Sequence, residues 1–249
     1  MRRLCLCLAL VLLTVAPSFA ATDITFLQAT SSTADTNSYT FAGQNLGTAS
    51  ADRCIVVEVA SRRAAATVTT VSTLTVAGSS ASILKQLSVE EAGAASVFAI
   101  AAVPLAAGTS VDVVVTFSAS MTRARIAVST LTGAADCTTV SDSDESEATD
   151  PSVALDIPAN GSAVAICGLS DATATSTWTG LTERHDAVVE SLFSVSGASD
   201  DFVSQQTGLT ITCNPNVTTS GEGGVFVSWA PVAAGGSKPA RVMGQSGVF

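Results

Sequence analysis

Arg53-Cys-Ile-Val-Val-Glu-Val59 decides the fold class. Ile55, Val57 and Val59 fall on one face of an extended chain and Cys54, Val56 and Glu58 on the other, the two-residue period of a β-strand. Ile55, Val56, Val57 and Val59 are β-branched, and such side chains crowd a helix but sit well on a pleated sheet. The same pattern recurs on either side. It covers residues 23–29 and 38–41 before this stretch, and 67–76, 82–87, 96–103, Val111-Asp-Val-Val-Val-Thr-Phe117 and 122–131 after it. Turn signals such as Ala77-Gly78-Ser79-Ser80 and Ala107-Gly108-Thr109 punctuate the series.

A seam follows at residues 133–151, where Ser141-Asp-Ser-Asp-Glu-Ser-Glu147 and Asp150 replace the apolar alternation. Strand patterns resume at 153–157, 162–169, 175–181, 186–195, 209–213 and 224–229. The expectation is an all-β, antiparallel, jelly-roll-like β-sandwich of roughly 12–14 strands. Its halves, 21–133 and 152–232, are joined by an acidic loop at 134–151, and two separate domains are the alternative. No helical periodicity of three turns is present, and residues 186–193 are the one ambiguous stretch. No repeat of fixed period is visible, which argues against a solenoid or propeller. Residues 233–249, with Gly235-Gly236-Ser237 and Pro239, read as a flexible C-terminal tail.

The first twenty residues read as a removable signal peptide. Arg2 and Arg3 give the positive start, residues 4–15 an apolar run, and Ser18-Phe19-Ala20 a cleavage site, so the mature chain begins at Ala21. The apolar run is too short for the roughly 20 residues of a spanning helix, so no membrane insertion is expected once the leader is removed. The chain is then secreted, to the periplasm or the extracellular space. Cys5 and Cys7 leave with the leader, and Cys54, Cys137, Cys167 and Cys213 remain. In an oxidising compartment an even set suggests two disulfides, with three possible pairings. Cys167 with Cys213 is the easiest to build, leaving Cys54 with Cys137.

The 249 residues carry a formal net charge of −10, and Arg2 and Arg3 are lost with the leader. Such a surface repels phosphate backbones, which excludes general nucleic-acid binding. Catalytic residue types are scarce. His185 is the sole histidine and reads as a surface or strand-end residue, and no Gly-x-Ser-x-Gly elbow occurs. A hydrolase would need folding to bring a serine or carboxylate to His185. Asp142, Asp144 and Ser146 stand at the first, third and fifth positions of a calcium-like series. The series then fails, with Glu147 where glycine belongs and Val153 where a bidentate glutamate belongs, so a solvated loop is the plainer reading and no cofactor is expected.

Exported sandwiches commonly bind glycans on exposed aromatic rings. Trp229 is in phase with Val225 and Val227 and reads as core; Trp178, among polar neighbours, is the candidate platform, or else the anchor of one end of the core. Asn160-Gly-Ser162 and Asn216-Val-Thr218 match the glycosylation sequon. Arg62-Arg63 and Arg123 with Arg125 are the positive foci, and the latter two share a strand face able to meet the acidic loop or a neighbouring subunit.

Three stretches carry a resemblance: Ser38-Tyr-Thr-Phe-Ala-Gly43 leading into Ala51-Asp-Arg-Cys-Ile-Val-Val57, Val115-Thr-Phe-Ser118 through Arg125-Ile-Ala-Val128, and Trp178-Thr-Gly-Leu-Thr-Glu-Arg184. They resemble uncharacterised β-sandwich proteins of bacteriophage genomes, often found among virion genes. The likeness reaches from about Tyr39 to Trp229 and consists of strands and turns, not a catalytic motif. It implies an exposed structural or adhesive protein of a virion or appendage. The export signal departs from that group and brings in a secreted bacterial surface protein. The functional expectation is thus an exported, non-enzymatic structural or adhesive protein whose partners are its own copies or another surface protein. A carbohydrate-binding module around Trp178 and a secreted hydrolase are the alternatives. The tail ending in Val248-Phe249 could add a strand to a partner.

Overall fold

The computed structural model describes residues 20–171, 175–190, 192–217 and 222–233; the leader up to residue 19 and the tail from residue 234 lie outside them. The chain is all-β. The first half forms β1 (Asp23–Ser32), β2 (Thr36–Asn45), β3 (Cys54–Arg63), β4 (Val71–Val76), β5 (Ser79–Ser80), β6 (Ser82–Glu91), β7 (Ala94–Pro104), β8 (Ser110–Met121) and β9 (Arg123–Thr132). The second forms β10 (Asp142–Ser146), β11 (Ser152–Ile157), β12 (Gly161–Leu169), β13 (Ser176–Thr179), β14 (Thr182–Val188), β15 (Ser194–Phe202), β16 (Gln206–Pro215) and β17 (Gly223–Trp229).

Each half builds its own pair of antiparallel sheets. The first pairs an inner sheet, ordered β1-β9-β3-β7-β6, with an outer sheet, β2-β8-β4-β5. The second pairs an inner sheet, β10-β17-β12-β15-β14, with an outer sheet, β11-β16-β13. The chain traces one path twice. Leaving aside the two-residue β5, the strands β1 to β9 correspond in order to β10 to β17, pairing for pairing. Both halves are eight-strand, double-sheet units of the jelly-roll kind.

The inner sheets then pack on each other through the same face of each repeat. β3 lies on β12, β6 on β10 and β17, and β1 on β12 and β15, so the strand order is reversed across the contact, as in a two-fold interface. The result is four layers with three cores. Tyr39, Phe41, Leu74, Val113 and Phe117 meet Ile55, Val57, Val59 and Val97 in the first. Val56, Phe98 and Ile100 meet Val164, Ile166, Val225 and Trp229 between the repeats. Val153, Leu155 and Ile211 meet Ala163, Ala165 and Phe226 in the third.

Burial on both faces explains why β7, β12 and β17 are apolar at almost every position, as is β3 from Cys54 to Ala60 apart from Glu58, the composition of strands covered on both sides. It also corrects the expected single double sheet shared by the two halves. The described residues hold 17 strands, more than the 12–14 expected, because β10, β15 and the two-residue β5 carry no strand signal of their own. The acidic loop at 134–151 is a strand where its charges lie: Asp142–Ser146 pairs with β17 at the edge of an inner sheet. Charged side chains suit that place because they discourage pairing with other chains.

Two disulfides fasten the layers. Cys54–Cys137 ties β3 to the segment between the repeats, with Cα atoms 6.2 Å apart, and Cys167–Cys213 ties β12 to β16 at 6.5 Å. That is the pairing favoured from the sequence.

Candidate functional site

The placement of charge is unusual. The strands of the first outer sheet carry one ionisable acid or base apart from Tyr39, namely Asp112, and those of the second carry one, Asp156. Each of these acids accepts a backbone N–H from a glycine across the sheet: Gly43 N to Asp112 at 3.1 Å and Gly208 N to Asp156 at 2.7 Å. The other strand charges lie on the inner sheets.

The outer faces are instead rows of hydroxyls. Ser38, Thr116 and Thr73 stand side by side across three strands of the first outer sheet, followed by Thr40, Val114 and Thr75. On the second, Ser152, Thr212 and Thr179 form one row, with Ala154 and Thr210 beside it. Ser38 bonds Thr116 at 3.2 Å and Ser152 bonds Thr212 at 2.8 Å. Neighbouring members of a row sit about 4.8 Å apart by strand spacing.

Between the repeats lies the opposite environment. His185 Nε2 is 3.2 Å from Glu58 Oε2, with side-chain exposures of 5% and 3%. Phe26 covers the imidazole at a ring distance of 5.5 Å, and Gly197 leaves the room that the pair occupies. His185 Nδ1 has no hydrogen-bond partner. Arg62 pairs with Glu91 and donates to Ser170, and Arg123 pairs with Glu190 at 3.4 Å. Arg125 donates to Ser31; burial lowers its pKa, and the charges of Glu58 and Asp186 work against that shift. Burial likewise pushes the Asp186 and Asp201 carboxyls above their usual range. Asp201 accepts Ile24 N at 3.1 Å, and the Thr22 N–H donates to Asn160 O at 2.9 Å, so the first residues after the expected cleavage point are stitched to the second repeat.

His185 is therefore buried, contrary to the surface position expected of it. Its partner stands 127 residues away, and the sequence signal is a single Glu within the apolar run from Cys54 to Ala60. Arg123 and Arg125 turn to this layer, not to the acidic segment; it is Lys85 that pairs with Glu145 there.

The calcium candidates do not gather as a ligand set. Asp142 accepts Ser143 N and Asp156 N, both at 2.8 Å; Asp144 accepts Glu145 N at 2.9 Å and Ser146 accepts Ser152 N at 3.2 Å. Among the described residues no group of three or more His, Cys, Asp or Glu is placed to hold a metal ion. Trp178 packs its edge on Phe226 and donates to Ser196 Oγ at 2.8 Å, so it anchors the third core and is not the open ring expected of a glycan platform. An open cleft of about 420 Å³ runs between Ser141, Pro158, Gln206 and Pro231, and Asp156, already bonded to Gly208, is its ionisable lining residue. Asn216 is exposed and accepts Thr175 N, while Thr218 of its sequon lies outside the described residues.

Fold and site together define a tandem of two jelly-roll-like units with polar outer sheets and a titratable layer between them. No protein-family model, curated protein or solved structure matches the chain. Two disulfides suit an oxidising environment, extracellular or periplasmic, and no helix among the described residues is long and apolar enough to cross a membrane.

Proposed function

We propose that this is an exported, non-enzymatic structural or adhesive protein that assembles through its outer sheets, as a component of a virion, an appendage or a cell surface. One observation carries the reading: an acidic chain keeps only one strand charge on each of the two broad faces that it turns outward, Asp112 and Asp156. Acidic copies repel each other, and the repulsion is least where the approaching surfaces hold a single charge each, Asp112 or Asp156. Serine and threonine hydroxyls both donate and accept, so such a face bonds to another of its own kind. Further copies or another neutral surface protein are the partners, and neither cofactor nor nucleic acid is involved.

A charge placed on the face tests this. Thr116→Glu weakens self-association in sedimentation velocity, and Thr116→Ser leaves it unchanged. Association indifferent to Thr116→Glu and to Thr210→Glu on the other face refutes the reading.

A further inference from the structure

The first and last described strands bring their ends to one pole. Thr22 N donates to Asn160 O at 2.9 Å and Val232 N to Gly133 O at 2.8 Å, and a Cβ on Gly133 would meet the carbonyl oxygen of Ala21. The cleft between Ser141, Pro158, Gln206 and Pro231 opens beside them, and Pro231 stands two residues before Ala233, the last described residue. We propose that this cleft is a binding site for a basic peptide segment, and that Ser237-Lys-Pro-Ala-Arg-Val-Met243 of the same chain occupies it, turned back at Gly235-Gly236 with its cations toward Asp156 and Asp142.

Charge is the first argument. Residues 234–249 hold Lys238 and Arg241 and no acidic side chain. Of the 11 Lys and Arg in the chain, Arg2, Arg3 and these two lie outside residues 20–233, which leaves 7 against 21 acids there, a net −14. At the cleft the acids are Asp156, which lines it, and Asp142, whose carboxylate accepts Asp156 N at 2.8 Å. Neither belongs to an ion pair among the described residues, where Lys85 is taken by Glu145, Arg184 by Asp200 and Arg62 by Glu91. A single exposed ion pair is weak. A segment joined to the rim by a few residues, however, meets the cleft at an effective concentration on the order of millimolar. Backbone geometry is the second argument. Gly-Gly suits a two-residue hairpin turn, whose central residues take positive φ. A reversal at Gly235-Gly236 lays Ala240 and Arg241 beside Pro231 and Ala230, one wall of the cleft. The third is shape: Ile157, Pro158, Ala159 and Pro231 give apolar surface for Pro239, Val242 and Met243. The volume of about 420 Å³ falls within the roughly 300–1,000 Å³ of ligand sites. A protein partner that takes the cleft has to displace this segment with one of the same chemistry. Arg241 against Asp156 also cancels the one strand charge of the second outer face, which serves the assembly proposed above without depending on it.

Trypsin reads the docking on residues 21–249. Lys238 is followed by proline and resists trypsin, so Arg241–Val242 is the bond it cuts within residues 234–249. A bond cut only from the undocked state is slowed by the docked fraction, so cleavage there, followed by mass spectrometry, should be about tenfold slower than in a synthetic peptide of residues 234–249. The protection should not depend on protein concentration. Asp156→Asn keeps an oxygen for Gly208 N, removes the charge and should speed the cut several-fold. Should that variant fail to fold, Gly235→Val with Gly236→Val lies outside residues 20–233, bars the turn and carries the same expectation, read against a peptide of its own sequence. A native chain cut as fast as the peptide, or protection that the variant leaves in place, would overturn the proposal. Protection that grows with protein concentration would overturn it as well, because the segment would then sit in the cleft of a second copy.

Discussion

Glu58 on β3 and His185 on β14 meet at 3.2 Å across the layer between the two repeats, each side chain nearly closed to solvent. The contact fixes how one jelly-roll unit sits on the other, because a buried polar group accepts few alternative partners. Removing one member of a buried hydrogen-bonded pair leaves the other without its partner, at a cost of about 1–3 kcal/mol. Glu58→Ala should lose that much in urea unfolding. Glu58→Leu combined with His185→Leu should lose clearly less than the sum of the single variants. Additive losses would show that the two side chains do not act as a unit.

Gly197 serves the same pair. A Cβ at this position would overlap both Glu58 Oε2 and His185 Nε2, between backbones that cannot separate without disturbing the layer. Gly197→Ala should destabilise the chain by about 1–3 kcal/mol, the cost of overpacking a filled interior. Combined with Glu58→Ala, its own cost should shrink, because the clash is relieved. An unchanged melting temperature for the single variant would contradict this placement.

Arg53 is 2% exposed and spends its guanidinium on five carbonyls: Leu46, Gly47, Leu105, Ala107 and Gly108, at 2.8–3.3 Å. It thereby holds the turns before β3 and after β7 against each other. Lysine offers three donors on a single nitrogen and cannot reproduce the planar fork. Arg53→Lys should cost about 2–3 kcal/mol through the carbonyls left unpaired in the interior. A urea midpoint equal to that of the native chain would contradict it.

Tyr39 is the single tyrosine of the chain, so its titration can be read without interference. Its hydroxyl lies 2.6 Å from Ala34 O and 2.8 Å from Met121 O. Burial, aided by Asp35, raises its pKa to about 12. The folded value exceeds the unfolded one of about 10, so this contribution to stability is complete below pH 10 and is lost as the pH rises through 12. Absorbance of the phenolate should rise with a midpoint near 12 in the folded chain and near 10 in urea. A folded midpoint near 10 would contradict the burial of Tyr39.

The strands were legible because period-two alternation is a local property, plain in Ile55, Val57 and Val59. The layering was less so. β7 and β12, and β3 from Cys54 to Val57, are apolar on both faces, and that excess is the available sign that each inner sheet is covered twice. β15 escaped because Ser194-Val-Ser-Gly-Ala-Ser199 fills its faces with small residues, and β10 because its acids read as a loop. The tandem path was invisible because the repeats share strand order without sharing residues: Cys54–Arg63 and Gly161–Leu169 are equivalent strands with little in common. The buried ions could not be paired from sequence, since Glu58 and His185 meet only after both repeats have formed.

The most direct test of assembly through the outer sheets is the solution mass of residues 21–249 by multi-angle light scattering across a range of concentrations. The account predicts a mass above that of the single chain that grows with concentration, and a return toward the monomer in the Thr40→Glu, Thr116→Glu double variant. A native chain that stays monomeric at every concentration would contradict it.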